Sequence, residues 1–302
     1  MSTIESYGRD ARDFITLEES RKIQSIDGPR ASAEYIRSRI GRNWSSGLVG
    51  AYLALLENSG QQREIEDILP HLRGVCVRSP SAAHAVASIF DDREEYAEAA
   101  RHEKEALRLD PNNPEYAWYV ASYLDTLEAH DEAHRYYALA YSLDPGDVDR
   151  TESYIVSLLE HSDFSRAAQV ALEFPSSDSK YAEVRSFAGV AFALQGEFSK
   201  AEDVLKSISG TSGRAVRALA QVMMAQGKVD DAADLLISRW QSHSESATAL
   251  LCVEVLRQTG SLDAVEDVMA GLAEHLEREE RRFAQFAART VAGQQSSRSG
   301  DA

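Results

Sequence analysis

Cysteine is nearly missing from this sequence: Cys76 and Cys252 are the two thiols in 302 residues, and neither has a CxxC partner. That spacing argues against a disulfide framework and against a thiolate metal site, and it fits buried or free thiols in a reducing compartment. Proline, with seven residues, and glycine, with seventeen, are also sparse, so long uninterrupted helices are permitted throughout. Basic charge is in deficit, with 32 Lys and Arg against 49 Asp and Glu and a formal net charge of −17. Nucleic acid and anionic membranes need a basic face, so neither is expected as a partner. No apolar run reaches the roughly 18–20 residues of a membrane span. The opening MSTIESYGRD lacks the basic stretch and apolar core of a secretory signal, and the cytoplasm is the expected compartment. Gly-rich phosphate loops, GxSxG and metal-spaced Cys/His clusters do not occur, so no catalytic residue, cofactor or metal is expected.

What the chain does have is repetition. LRLDP at 107–111 returns as YSLDP at 141–145. Ile65, Ala99, Ala133, Ala167 and Ala201 keep the same step of thirty-four, and Ala232 and Ala264 follow at thirty-one and thirty-two. Around each lies an apolar-periodic stretch, a short turn and an acidic-to-apolar stretch. Apolar residues recur at three- and four-residue spacing on both sides of the turn, the pattern of an antiparallel helix pair. Val120, Leu124 and Leu127 mark one helix, and Ala133, Tyr137 and Ala140 its partner. Ala121 and Ala133 are small where two helix axes approach closely. Asp144–Pro145 stops the second helix. One pair cannot bury its apolar face alone, so the units must stack.

On these residues the chain resembles the tetratricopeptide repeat family. The family's small, large, alanine and proline positions fall on Ala87, Phe90, Ala99, Glu103, Ala106 and Pro111. They are met again by Ala121, Leu124, Ala133, Tyr137, Ala140 and Pro145, and by Gly189, Phe192, Ala201 and Leu205. Ile65, Phe174, Arg239 and Gly271 stand where the pattern has alanine. The resemblance implies an all-α fold, a right-handed α-solenoid of stacked antiparallel helix pairs. The expected organisation is a helical extension over 1–43, broken at Asp27–Gly28–Pro29, an array of about seven repeats over 44–275, a capping helix over 276–292 and a tail over 293–302.

The resemblance also implies a role. The first helix of each unit lines a concave groove that holds another protein or peptide. Carried over by register, the groove residues are His84, Ser88, Trp118, Tyr119, Ser122, Glu152, Ser153, Val156, Phe187, Val190, Arg214, Arg217 and Gln221. The lysine and asparagine with which the family's best-known site grips a terminal carboxylate are absent from those positions. The expected floor is aromatic, at Trp118, Tyr119 and Phe187, with an anion-tolerant corner at Arg214 and Arg217. Against this stands the alternative that the rings pack between neighbouring first helices or beneath residues 1–43. The negative charge favours a partner with a basic segment. A second expectation is an accessory or regulatory subunit that docks through 1–43. HDEAH at 130–134 has the His spacing of a metal motif, but Asp131 stands where such motifs carry glutamate and His130 falls in a turn. Solvated turn residues explain it. LEREERRF at 276–283 reads as intrahelical ion pairs on a solvated face.

Overall fold

The computed structural model describes residues 2–40, 48–76, 78–261 and 263–278, with side chains from Ile15 onward except at 73 and 74. The rest of the expected capping helix beyond 278, and the tail, lie outside the described residues. The fold is all-α and of the α-solenoid type, and no strand occurs among the described residues. The chain forms two compact units, Met1–Ser157 and Leu158–Ala302.

The first unit opens with α1 (Ser2–Ile40), interrupted at Gly28, whose φ of 86° is a left-handed conformation that favours glycine. Pro29 then starts the second arm. The two arms fold back on each other, with Ser20 Oγ 2.6 Å from Ser32 Oγ. Next come α2 (Leu48–Asn58), α3 (Gln62–Ile68), a 3-10 turn at Leu69–His71 and α4 (Arg73–Cys76). Pro70 splits what would otherwise be the second helix of the pair, because proline removes a backbone donor and restricts the residue before it. Gly50 lets α2 approach closely: a Cβ there would lie 2.6 Å from the Ser81 carbonyl oxygen.

Regular pairs follow: α5 (Pro80–Asp91) with α6 (Tyr96–Leu109), then α7 (Pro114–Thr126) with α8 (His130–Leu143). Their starts follow from local chemistry. Ser79 accepts from the Ala82 amide and Asn113 from the Glu115 amide, each ahead of a proline at the first helical position. Asp110 and Asp144, each before a proline, end α6 and α8. Ala87, Ala99, Ala106, Ala121, Ala133 and Ala140 are all buried, as close helix packing requires. Leu127 departs from its expected helical face. It is the residue that ends α7, and it is 43% exposed. The division between the units falls within α9 (Val148–Glu160).

The second unit holds α10 (Phe164–Leu172), α11 (Ala182–Leu194), α12 (Phe198–Ile208), α13 (Gly213–Ala225), α14 (Val229–His243), α15 (Ser246–Thr259) and α16, over 263–278. One core gathers Ala201, Leu205, Ile208, Leu219 and Val222; another gathers Leu236, Trp240, Cys252, Val255 and Leu272. The departures from the repeat pattern are accommodated here. Phe174 is buried against Tyr181, with ring centroids 4.9 Å apart. Arg239 lays its guanidinium on Glu245, and Gly271 leaves ordinary contact distance to the Trp240 ring.

The repeat is also written in the backbone. Besides Gly28 and Ser244, left-handed φ recurs at Gly60, Glu94, Glu128, Ser162 and Gly196, each thirty-four after the last, followed by Gly227 and Gly260. The amide after each one bonds to a carbonyl five residues back, for example Ala129 to Leu124 and Glu197 to Phe192, both at 2.9 Å. This is the Schellman closure of a helix end, and it turns the chain into the next helix.

Candidate partner-binding face

In the first unit, α5, α7 and α9 bring together residues that lie far apart in sequence. His84 on α5 sits against Tyr116 and Tyr119 on α7, at centroid distances of 5.3 and 5.1 Å. Tyr119 meets Trp118 edge-on at 5.1 Å and Tyr123 in a stack at 6.1 Å. Trp118 donates its Nε1–H to Ser153 Oγ on α9 at 2.9 Å. The result is a run of rings across α5 and α7, tied to α9 by that bond, in which His84, Trp118 and Tyr119 are half-buried. Ser88, Ser122 and Glu152 are half-buried beside them, and Val156 is 40% exposed.

Beneath the rings lies a carboxylate that the sequence placed in the repeat but not in the site. Glu103 on α6 is 0% exposed, and both its oxygens are 3.0 Å from His84 Nδ1. Burial opposes charge on His84, but the hydrogen bond and charge of Glu103 outweigh it, so its pKa lies above the ordinary range. Burial likewise pushes the Glu103 carboxyl up, while the His84 bond pulls it back. The visible signal was a departure from pattern, since the equivalent residue one unit later is Tyr137.

The remaining five candidates lie in the second unit. Phe187 carries the Arg214 guanidinium over its ring at 4.4 Å, and Arg214 also faces Glu183 at 3.5 Å. Arg217 lies 3.6 Å from Glu245. Val190 packs on the core, and Gln221 is exposed. Each arginine therefore already has a carboxylate near it, and Phe187 is covered by a cation.

The HDEAH histidines have separate partners: His130 Nδ1 is 2.7 Å from Asp125, and His134 Nδ1 is 2.9 Å from Ser157. No group of three His, Cys, Asp or Glu among the described residues is arranged to hold a metal ion. Arg278 faces Glu274, an ion pair of the kind read from LEREERRF. Both cysteines are buried, and burial pushes each thiol up to about 11. No helix among the described residues is long and apolar enough to cross a membrane.

Residues 86–148, spanning most of α5 to α8, match the family model of the tetratricopeptide repeat. That stretch is of tetratricopeptide-repeat type. The repeat protein has structural likenesses at low identity. The structure of Naa15/Naa10 bound to HypK-THB aligns over 82% of this chain at 12% identity, with a TM-score of 0.51. This chain spans 39% of that one's length. PilW, a type IV pilus biogenesis factor, aligns over 65% of this chain and 93% of its own at 20% identity and a TM-score of 0.49. A tetratricopeptide repeat protein from Parabacteroides merdae aligns over 81% and 98% at 12% identity and 0.48. No curated protein sequence matches the repeat protein.

Proposed function

We propose that this chain is a non-catalytic interaction scaffold or adaptor that holds an extended segment of another protein on the first-helix face of its first unit. Tetratricopeptide repeats serve as protein-binding modules, and stacked helices present a surface that needs no ordering before a guest arrives. The observation that carries the reading is the run of half-open rings at His84, Tyr119 and Trp118. Aromatic side chains anchored on one side and open on the other are typical binding hot spots. Glu152, beside the rings, and Glu115, exposed at the start of α7, favour a guest with a basic segment.

The test is a double substitution, Trp118→Ala with Tyr119→Ala, in the full chain. Binding of peptides selected from a random display library should weaken by about tenfold or more, with helical content unchanged by circular dichroism. Retained binding together with collapsed thermal stability would assign both rings to the core.

A second reading gives the docking role to α1, as in an accessory or regulatory subunit of an enzyme or secretion complex. Ile15 and Ile26 on α1 are 56% and 80% exposed, which favours a contact there. The Naa15/Naa10 assembly is one in which a chain of similar fold works inside a complex. Deleting 1–43 separates the two readings: loss of a complex with peptide binding intact favours the subunit.

A further inference from the structure

The pair formed by His84 and Glu103 does more than fill space. A fully buried carboxylate is costly unless it is matched, and a repeat of this kind has a cheaper solution one unit away, in Tyr137. Glu103 occupies the Nδ1 side of the ring. His84 is 30% exposed at its side chain, and Nε2, on the ring edge away from Nδ1, is the nitrogen that Glu103 does not hold. Tyr116 and Tyr119 flank the ring, so the edge is what a guest would meet.

This arrangement fixes the chemistry of Nε2. An ionised Glu103 can only accept, so against it Nδ1 keeps its proton in either charge state of the ring. The proton lost on deprotonation must therefore leave Nε2, which changes from donor to acceptor. The groups that act on the ring are Glu57 from α2, Glu103 from α6, and Glu115, Tyr116 and Tyr119 from α7. Asp92 and Arg93, next to the end of α5, act on Glu57. Apart from the pair itself, the charge acting on the ring is that of Glu115, joined by Glu57 as pH rises past about 7, and it repels an anionic acceptor. A neutral main-chain carbonyl meets no such penalty. In a helical guest those carbonyls are already bonded internally, so free ones come from extended chain.

We propose that His84 is a specificity-determining residue of the binding face, with Glu103 as its positioning residue, and that its outward Nε2–H takes a main-chain carbonyl of an extended guest. The inference rests on the function proposed above. Binding is then strong while the ring holds both protons and weakens as pH rises through the ring's titration.

The experiment pans a random peptide display library on the full chain at about pH 6, just below the ordinary imidazole pKa, with counter-selection on the Trp118→Ala/Tyr119→Ala variant. Affinities of the selected peptides are measured from about pH 6 to about pH 9 for the wild type, His84→Gln and Glu103→Gln. The ring nitrogens of His84 are followed by NMR. The expected results are binding indifferent to pH in His84→Gln, whose amide N–H donates at every pH, weaker wild-type binding at high pH, and a lower midpoint in Glu103→Gln. NMR should show an Nδ1–H tautomer at high pH and a midpoint above about 6.5. Peptides that need Trp118 and Tyr119 but ignore His84 and pH would overturn this inference and leave the proposed function standing. No peptide that distinguishes the counter-selection variant would overturn both. The NMR midpoint needs no variant, and a value at or below that of free imidazole also sinks the inference.

Discussion

Besides Ser244 at the end of α14, three residues at repeat turns put a side chain where the backbone favours glycine. Glu94, Glu128 and Ser162 adopt φ of 60°, while Gly60, Gly196 and Gly227 hold the same place in other repeats. A Cβ in that conformation crowds the backbone, and glycine relieves it at some cost in unfolded-chain entropy. Glu128→Gly is therefore expected to stabilise the chain by about 0.5–1 kcal/mol, read by urea denaturation. The opposite effect belongs to Gly189. A Cβ there would come 2.3 Å from Leu205 Cγ. Gly189→Ala should cost about 1–3 kcal/mol through overpacking, and Leu205→Ala in the same chain should cost less than the sum of the two single changes.

At the scale of elements, the ends of α2 and α5 meet around Glu57. One of its oxygens is buried with no hydrogen-bond partner among the described residues. Burial, then the charge of Asp92, raises its carboxyl from 4.5 to about 7. A carboxyl raised in the folded state binds its proton more tightly there than in the unfolded chain. Its contribution is thus full below about 4.5 and is lost as pH rises through about 7. Glu57 is half-exposed, so screening limits the loss to about 1 kcal/mol. Glu57→Gln should flatten the fall in melting temperature over that window, and an unchanged pH profile would count against the burial. The helix pairs themselves were legible in sequence because their causes are local: capping Ser79 and Asn113, stopping Pro111 and Pro145, and apolar residues at helical spacing. Glu103 was legible only as one more position of the repeat. Its partner lies nineteen residues away on the preceding helix, and nothing local to Glu103 says that His84 will be there.

For the molecule as a whole, the excess of 49 acidic over 32 basic residues sets the field a partner meets. Association with a basic peptide should slow several-fold as salt rises from about 50 mM to about 500 mM, since the screening length falls well below 10 Å over that range. Stopped-flow association rates would check this; a rate indifferent to salt would place recognition in the rings alone.

The sequence by itself determined the helix-pair architecture and its step of thirty-four. Turn chemistry, proline stops and apolar spacing act within a few residues and repeat along the chain, so they can be read in order. Tertiary structure decided which rings stay half-open and which charges are matched. Trp118 reaches Ser153 across thirty-five residues, and Arg239 reaches Glu245 around the end of its helix. Those outcomes depend on which side chains the neighbouring helices bring within bonding distance, and that is set only when the pairs stack.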